Sequence, residues 1–418
     1  DQDTGRKTLA RARAWTPTDM EAFAEVGRDG NPIHVSPLMA RLAGLEGPIV
    51  HGMWTSARVH AFLVETVAGG DAARIRGYDA AFLAPALPDE PIELAALRTA
   101  VRNGTLVVEA TATARRGDLR VPVLRATARV APPRTAYLFP GQGIQQQNMG
   151  MEGYARSGAA RAIWDRADAF TRLELGFSLL RIVRENPREL RVKGASLLHE
   201  QGVLHLTQFT QVAMAVLAQA QVAELREARV LVDDAISCGH SVGEYNAIAA
   251  LAGVLSLETV IYLVYQRGCT MHRLVPRDVH GESGFRMGVI RPNAAKLDEA
   301  GAEALVARVR KETGLTLQIV NDNIRGRQYS VTGRIEALKR LEALLAERTP
   351  AGGKSAYLEV PGIDTPFHSD LLRDGVAGFR EALEARFPAR ISHTRLVGRY
   401  VPNLVPKPFT LAREYIQE

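Results

Sequence analysis

The sequence predicts an α+β domain over residues 1–131, then an α/β domain over residues 135–418 carrying a β-α-β-β-α-β insert at about 285–360. Three observations predict it. Long strand-like segments crowd between residues 75 and 130, behind one long helical pattern. Strand and helix alternate after residue 135. Between these regions, Ala131-Pro132-Pro133-Arg134 interrupts both patterns. Composition sets the frame. The 418 residues include 52 basic and 46 acidic side chains, for a net charge of +6, and 46% are apolar. Both halves hold enough apolar residues for a core, which excludes a disordered chain. Cys238 and Cys269 are the only cysteines, which excludes a disulfide scaffold and fits a reduced, cytoplasmic protein. No run of ~18 apolar residues is present, so no membrane span is expected. The Arg residues scatter among acids without a basic stripe, so no nucleic-acid partner is expected.

The elements follow in order. Thr16-Pro17-Thr18-Asp19-Met20-Glu21 reads as a capped helix start with Pro at the first helical position. A second helix begins after His51-Gly52 and runs through Val64. Strands are expected at Ile75–Phe82, Pro91–Val101, Thr105–Ala114 and Arg120–Val130, with hairpin turns at Asn103-Gly104 and Gly117-Asp118. In the second domain, Thr135–Phe139 and Ala235–Cys238 are short strands, and Phe209–Leu225 and Glu244–Val254 are helices. The insert reads as strand Phe285–Ile290, helix Ala295–Lys311, strands Thr316–Val320 and Gln328–Thr332, helix Ile335–Glu347 and strand Ser355–Val360. That order is ferredoxin-like.

Gly239-His240-Ser241-Val242-Gly243-Glu244 is the sharpest chemical signal. It follows a short apolar strand and opens a helix, the setting of a G-x-S-x-G nucleophile elbow. Ser241 then sits at the tip, and the Val242 amide at a helix N-terminus faces a developing oxyanion. A serine needs a base. His368, in Thr365-Pro366-Phe367-His368-Ser369 just past a strand, suits that role, and the order Ser…His suits an α/β hydrolase-like site. His272, inside a helical pattern, reads as a surface residue. Gln142, in Phe139-Pro140-Gly141-Gln142-Gly143, completes the oxyanion hole through either its side chain or its backbone N–H. Arg267 follows Val260–Gln266 in a largely apolar helix, where a guanidinium needs an anionic partner or a route to solvent, the competing reading being a capping arginine near a helix end. Gln211 either faces the same cleft or caps its helix.

In chain order, Phe139-Pro140-Gly141-Gln142-Gly143, Thr207-Gln208-Phe209-Thr210-Gln211, Gly239-His240-Ser241-Val242-Gly243-Glu244, Gln266-Arg267-Gly268 and Pro366-Phe367-His368-Ser369 resemble the motifs of the malonyl-CoA:acyl-carrier-protein transacylase family, over roughly residues 135–418. The resemblance implies Ser241 as the acylated nucleophile and His368 as its base. It implies Arg267 as a carboxylate clamp, with Gln142 and the Val242 amide around the thioester oxygen. It implies a histidine oriented by a main-chain carbonyl, so Asp364 and Asp370 need not complete a triad. Asn403 takes a supporting role.

The first domain has its own constellation. In Gly27-Arg28-Asp29-Gly30-Asn31-Pro32-Ile33-His34, a turn separates an acid from a histidine, so both can face one pocket. Such a pair suits elimination of water from a β-hydroxyacyl thioester. Gly47-Pro48-Ile49-Val50-His51-Gly52-Met53 leads into the long helix, where the Gly52 amide can polarise a carbonyl. Together these segments resemble the MaoC-like (R)-specific enoyl hydratases of the hot-dog fold, over roughly residues 10–131. The resemblance implies Asp29 and His34 as the catalytic pair, without deciding which is acid and which base.

The two halves in this order resemble the dehydratase–malonyl/palmitoyl transferase segment of type I fatty acid synthases. The fungal β chain and the single-chain synthases of mycobacteria and corynebacteria share it. The fungal elbow commonly has Leu at the position of Val242, a change that keeps the backbone amide. The resemblance implies dehydration of (3R)-hydroxyacyl-ACP, malonyl transfer from CoA to acyl carrier protein, and return of long acyl chains to CoA. It implies CoA and phosphopantetheine thioesters as substrates. It also implies an acyl carrier protein domain and other synthase domains of a large homo-oligomer as partners. The chain reads as part of a far larger polypeptide. No metal-ligand spacing or nucleotide-binding loop occurs, so no bound cofactor and no metal is expected. The competing reading is a polyketide synthase acyltransferase segment with a non-catalytic, acyl-binding or structural hot-dog domain.

Overall fold

A computed structural model describes residues 6–102, 105–232 and 235–417. The chain divides into two compact units, Asp1–Thr135 with Ala228–Asp233, and Ala136–Glu227 with Asp234–Glu418. The units part within a few residues of the Pro-Pro interruption. The short stretch 228–233, expected in the second domain, groups with the first.

The first unit opens on a strand that the sequence reading did not anticipate, β1 (Lys7–Trp15). Three helices follow: α1 (Glu21–Gly27), α2 (Pro37–Leu42) and α3 (Gly52–Thr66). Four strands then complete an antiparallel sheet: β2 (Ile75–Phe82), β3 (Pro91–Arg102), β4 (Thr105–Arg116) and β5 (Leu119–Val130), in the order β1-β3-β4-β5-β2. The Gly117-Asp118 turn joins β4 to β5, with Gly117 at φ 61°; Asn103-Gly104 lies outside the described residues. Period-two alternation buries Val108, Ala110, Ala112 and Ala114 of β4, and Leu124, Ala126, Ala128 and Val130 of β5. These mostly small side chains line the face that receives Val59, Phe62 and Leu63 of α3. A sheet wrapped around one central helix is the hot-dog arrangement.

Helix α1 begins at Glu21, not at Pro17. The reason is tertiary. The Thr16 hydroxyl donates to the Leu87 carbonyl (2.7 Å) and accepts from the Glu90 amide (2.7 Å), so it ties the end of β1 to a distant loop and is not free to cap a helix. Asp19 takes the Glu21 amide instead (3.1 Å).

The second unit is α/β. Its central sheet is parallel, in the order β14-β9-β6, from β6 (Ala136–Phe139), β9 (Ile236–Gly239) and β14 (Tyr400–Val401). Around it lie α4 (Met151–Arg156), α5 (Gly158–Phe170), α6 (Leu179–Glu185), the hairpin β7 (Glu189–Val192) and β8 (Ala195–Leu198), and α7 (Thr207–Glu227). Helices α8 (Val242–Ala250) and α9 (Leu257–Arg273) follow β9. The main core gathers Trp164, Phe209, Val260 and Leu263 at full burial.

The insert has the expected order: β10 (Phe285–Ile290), α10 (Glu299–Thr313), β11 (Leu317–Ile324), β12 (Gln328–Arg334), α11 (Ile335–Arg348) and β13 (Tyr357–Glu359). Its sheet runs β11-β12-β10-β13, all antiparallel. Helix α10 starts four residues later than expected, because Pro292–Ala295 forms a separate 3₁₀ turn and Asp298 then caps the helix through the Gly301 amide. Helix α12 (Val376–Arg386) and α13 (Arg413–Gln417) complete the chain.

Candidate active sites

The elbow in the second unit is built from close backbone contacts. A Cβ at Gly239 would stand 2.0 Å from the Gly243 carbonyl oxygen, and one at Gly243 would stand 2.1 Å from the Phe139 oxygen. Only glycine lets β9, α8 and the end of β6 meet this tightly. Ser241 sits between them at φ 53°, ψ −113°, a conformation rare for a residue with a Cβ and one that surrounding structure must impose. Its hydroxyl is thereby pushed into a cleft lined by Gln142, His240, Val242, Arg267, Phe367 and His368. Among the described residues, no acceptor takes the Val242 N–H, the first amide of α8.

Two groups hold the Ser241 oxygen. His368 Nε2 lies 2.9 Å away and Arg267 Nη2 lies 3.1 Å away. A guanidinium only donates. Oγ therefore accepts from Arg267 and sends its own proton to His368, which requires a neutral imidazole. Crowding by protein around the ring, with Arg267 and His240 adding charge, pushes the His368 pKa down to about 4, although its outer edge stays open to solvent. His368 is also left-handed, at φ 59°.

Arg267 reaches the serine because α9 crosses α7 closely. A Cβ at Gly268 would lie 2.3 Å from the Gln208 Cα. At this crossing Arg267 Nη1 donates to Gln211 Oε1 (2.7 Å), Gln211 Nε2 to Thr207 Oγ1 (2.8 Å), and Thr207 Oγ1 to Gln142 Oε1 (2.9 Å). The Tyr245 ring centroid lies 5.8 Å from Arg267 Cζ. Burial depresses the Arg267 pKa. Among the described residues no carboxylate lies within ion-pair distance of its guanidinium. A half-buried cation with neutral hydrogen-bond partners favours an anionic ligand.

The loop that carries His368 is anchored from below. Asp364 makes a forked ion pair with Arg277, one arm at 3.0 Å, and its carbonyl accepts from the Ser283 hydroxyl. Burial pushes the Asp364 pKa up, but Arg277 outweighs it and holds the carboxylate below its ordinary value. Asp364 therefore serves as an anchor, and Asp370 pairs with Arg373 at the surface (3.0 Å). Asn403 donates to the Gly239 carbonyl (2.6 Å), and its amide meets Glu244 (3.0 Å). It braces the elbow. His272, expected on the surface, is half-buried on α9, and burial drives its pKa to about 4.

In the first unit, α1 ends where Arg28 turns left-handed (φ 54°), and Asp29 follows. Asp29 Oδ1 accepts from the Asn31 amide (3.2 Å), and Asn31 Oδ1 from the Ile33 amide (3.3 Å), so two successive Asx turns carry the chain to His34. His34 Nδ1 meets the Ile49 carbonyl at 2.8 Å. A carbonyl only accepts, so Nδ1 carries the proton and Nε2 keeps its lone pair. Sequence reading missed His51. This residue, 2% exposed, stacks on the His34 ring (centroids 3.7 Å apart) and donates from Nε2 to the Asp29 carbonyl (3.0 Å). The next residue, Gly52, begins α3, and the Phe82 ring fills the space where a Cβ would sit (3.0 Å). Ligand atoms of Asp29, His34 and His51 lie within 4.8 Å of one another. That grouping is invisible in linear spacing. His51 Nε2 donates to the Asp29 carbonyl, which leaves its lone pair on Nδ1, a buried atom with no hydrogen-bond partner.

Comparison with known proteins gives a family for each region of the chain. Residues 136–361 match the acyl transferase domain family, and residues 1–116 match the MaoC like domain family. Fatty acid synthase subunit beta of Saccharomyces cerevisiae is 32% identical over 98% of this chain and 24% of its own length. Fatty acid synthase beta subunit TOXC of Cochliobolus carbonum is 31% identical over 96% of this chain and 23% of its own. The chain thus spans about a quarter of the length of the curated relatives it matches. Among solved structures, FabD from Acinetobacter baumannii superposes with a TM-score of 0.52 at 25% identity, covering 68% of this chain and 77% of that one. The chain belongs to the acyl transferase family and carries a MaoC-like domain ahead of its transferase domain.

Proposed function

We propose that this chain performs two steps of fatty-acid assembly: dehydration of a (3R)-hydroxyacyl thioester on acyl carrier protein in its first unit, and acyl transfer through Ser241 in its second. The observation that carries the transferase reading is Arg267, a half-buried cation donating to Ser241 Oγ at 3.1 Å with Gln211 as its other partner. A malonyl carboxylate supplies the missing anion and sets the thioester carbon against the hydroxyl. Ser241 attacks that carbon while His368 Nε2 takes its proton. The tetrahedral oxyanion is held by the Val242 N–H and Gln142. Collapse expels the CoA thiolate, which regains the proton from His368. A phosphopantetheine thiol then attacks the acyl-serine in reverse sequence. Long acyl chains use the same serine on their way back to CoA, with Arg267 turned aside. No cofactor is invoked.

In the first unit His34 Nε2, the ring nitrogen with a lone pair, removes the α-proton of the hydroxyacyl thioester and hands it to the departing hydroxyl. Asp29 orients that hydroxyl, and the Gly52 N–H polarises the thioester carbonyl. The partners implied are an acyl carrier protein domain and other domains of a large homo-oligomeric synthase in the cytoplasm. Among the described residues no helix is long and apolar enough to cross a membrane.

Mass spectrometry of the intact chain after mixing with malonyl-CoA, and separately with palmitoyl-CoA, tests the transferase reading. A covalent adduct mapping to Ser241 from both thioesters is expected. Arg267→Ala is expected to lose the malonyl adduct by ~10–100-fold while the palmitoyl adduct persists. Equal losses for both substrates refute the clamp, and no adduct from either refutes the transferase.

A further inference from the structure

The dehydration draws its groups from three separate places: Asp29, His34 and the Gly52 amide. One residue is joined to all three. His51 precedes Gly52 as the N-cap residue of α3. It donates from Nε2 to the Asp29 carbonyl at 3.0 Å. Its ring lies on that of His34, with centroids 3.7 Å apart and planes 24° apart. A single hydrogen bond does not orient a base. The Ile49 carbonyl holds His34 Nδ1 at 2.8 Å, which sets where that nitrogen lies but leaves the ring free to tilt about the bond. Tilting would swing Nε2, the nitrogen that takes the proton. The stacked His51 ring removes that freedom, and the Phe23 ring, 5.3 Å away, packs against His51 in turn.

Asp29 depends on its main chain, because its side chain is 56% exposed. The chain leaves α1 through the left-handed Arg28. The Asp29 amide then donates to the Ala24 carbonyl at 3.1 Å, and its own carbonyl accepts from His51. His51 is 2% exposed, and its Nδ1 is buried without a hydrogen-bond partner. An unpaired buried nitrogen is unfavourable, so packing alone would be better served by an apolar ring. Histidine offers both a flat face and a donor at its edge, and here both are used. We propose that His51 is a positioning residue for the dehydration: its Nε2–H fixes the Asp29 main chain while its ring face fixes the plane of His34, so that the carboxylate and His34 Nε2 meet one substrate together. The inference rests on the Asp29 and His34 reading of the first unit.

The test measures steady-state hydration of crotonyl-CoA, a short trans-2-enoyl thioester, by the whole 418-residue chain. His51→Phe keeps the ring and removes the donor. His51→Gln keeps a donor near the Nε2 position and removes the flat ring. Each is expected to lower kcat by ~10–100-fold, the scale of an ångström-sized misplacement, with KM near that of the wild type. Adding H51Q to His34→Ala should slow the reaction no further, because the base that His51 aligns is gone. Acylation of Ser241 by malonyl-CoA should keep its wild-type rate in both single variants. Wild-type kcat in either H51F or H51Q overturns the proposal, as does a loss carried by KM alone. Multiplying losses in the double variant also overturn it. Nitrogen NMR of the unmutated chain, with isotope-labelled histidine, tests the geometry even if the variants do not fold. His51 must carry its proton on Nε2 and His34 on Nδ1, opposite tautomers on stacked rings. H34A assigns the pair, by removing one set of signals and shifting its neighbour. A proton on Nδ1 of His51 overturns the proposal. A wild-type chain that shows both tautomers and hydrates nothing instead refutes the dehydration reading itself.

Discussion

The two candidate sites hold their reactive groups in opposite ways. In the second unit, side chains position side chains: Gln142, Thr207, Gln211 and Arg267 form one hydrogen-bonded line to Ser241, and Thr207 and Gln211 within it are fully buried. In the first unit, the main chain does most of the holding. The Ile49 carbonyl fixes His34, the Asp29 carbonyl receives His51, and the Asp29 side chain itself remains 56% exposed. The difference follows from the chemistry proposed for each. Acyl transfer develops an oxyanion beside a half-buried cation, so the dipoles around it must be aimed in advance. Water elimination moves one proton and releases one water, and an open acid beside a fixed imidazole suffices.

Breaking each site separately gives the largest expected effects. Ser241→Ala should abolish the acyl-enzyme and leave hydration of a trans-2-enoyl thioester untouched. His34→Ala should lower that hydration by ~10²–10⁴-fold and leave the acyl-enzyme untouched. Paired assays on the two variants check this, and cross-effects in either direction would mean the sites are not independent. Next in size is the anchor beneath His368. Arg277→Met strands the Asp364 carboxylate, whose side chain is 8% exposed, and should destabilise the second unit by ~3–5 kcal/mol in chemical unfolding. Adding Asp364→Asn should return part of that loss. A change within error in R277M would mean that the ion pair does not hold the loop.

Much of this was legible in the sequence where the information is local. The elbow, the Pro-Phe-His-Ser turn and the Asp29–His34 turn are short contiguous motifs, and the insert's strand Phe285–Ile290 and helix start at Ile335 were read to the residue. Legibility failed where a residue's role depends on a distant partner. Strand β1 alternates Ala with Arg, too weakly apolar to read as an edge strand, and exists through its pairing with β3. Thr16 looked like a helix cap because its partners, Leu87 and Glu90, are more than 70 residues away. Arg277 and Asp364 lie 87 residues apart. Thr207 stood inside a quoted motif, yet its bond to Gln142, 65 residues earlier, gives it meaning. His51 was visible as part of a helix start, whereas its stacking on His34 was not.

The smallest expected effect sharpens the comparison most, because it is an absence of change. An ordinary histidine base would lose activity as pH falls through 6.5. His368 has its pKa pushed down to about 4 by burial, with Arg267 as the next cause. A lowered pKa extends the neutral, proton-accepting form toward acid, so kcat/KM for acylation should stay level from pH 8 to about pH 5. Palmitoyl-CoA is the better probe, since its acyl chain carries no carboxylate of its own to titrate. The Arg267→Ala variant should then move the acid limb upward, because one of the three effects holding the pKa down has gone while burial and His240 remain. A wild-type limb at 6.5 would show that His368 is solvated like a surface histidine. A limb that does not move in R267A would show that burial and His240 set it and that the cation acts only on Ser241 and the substrate.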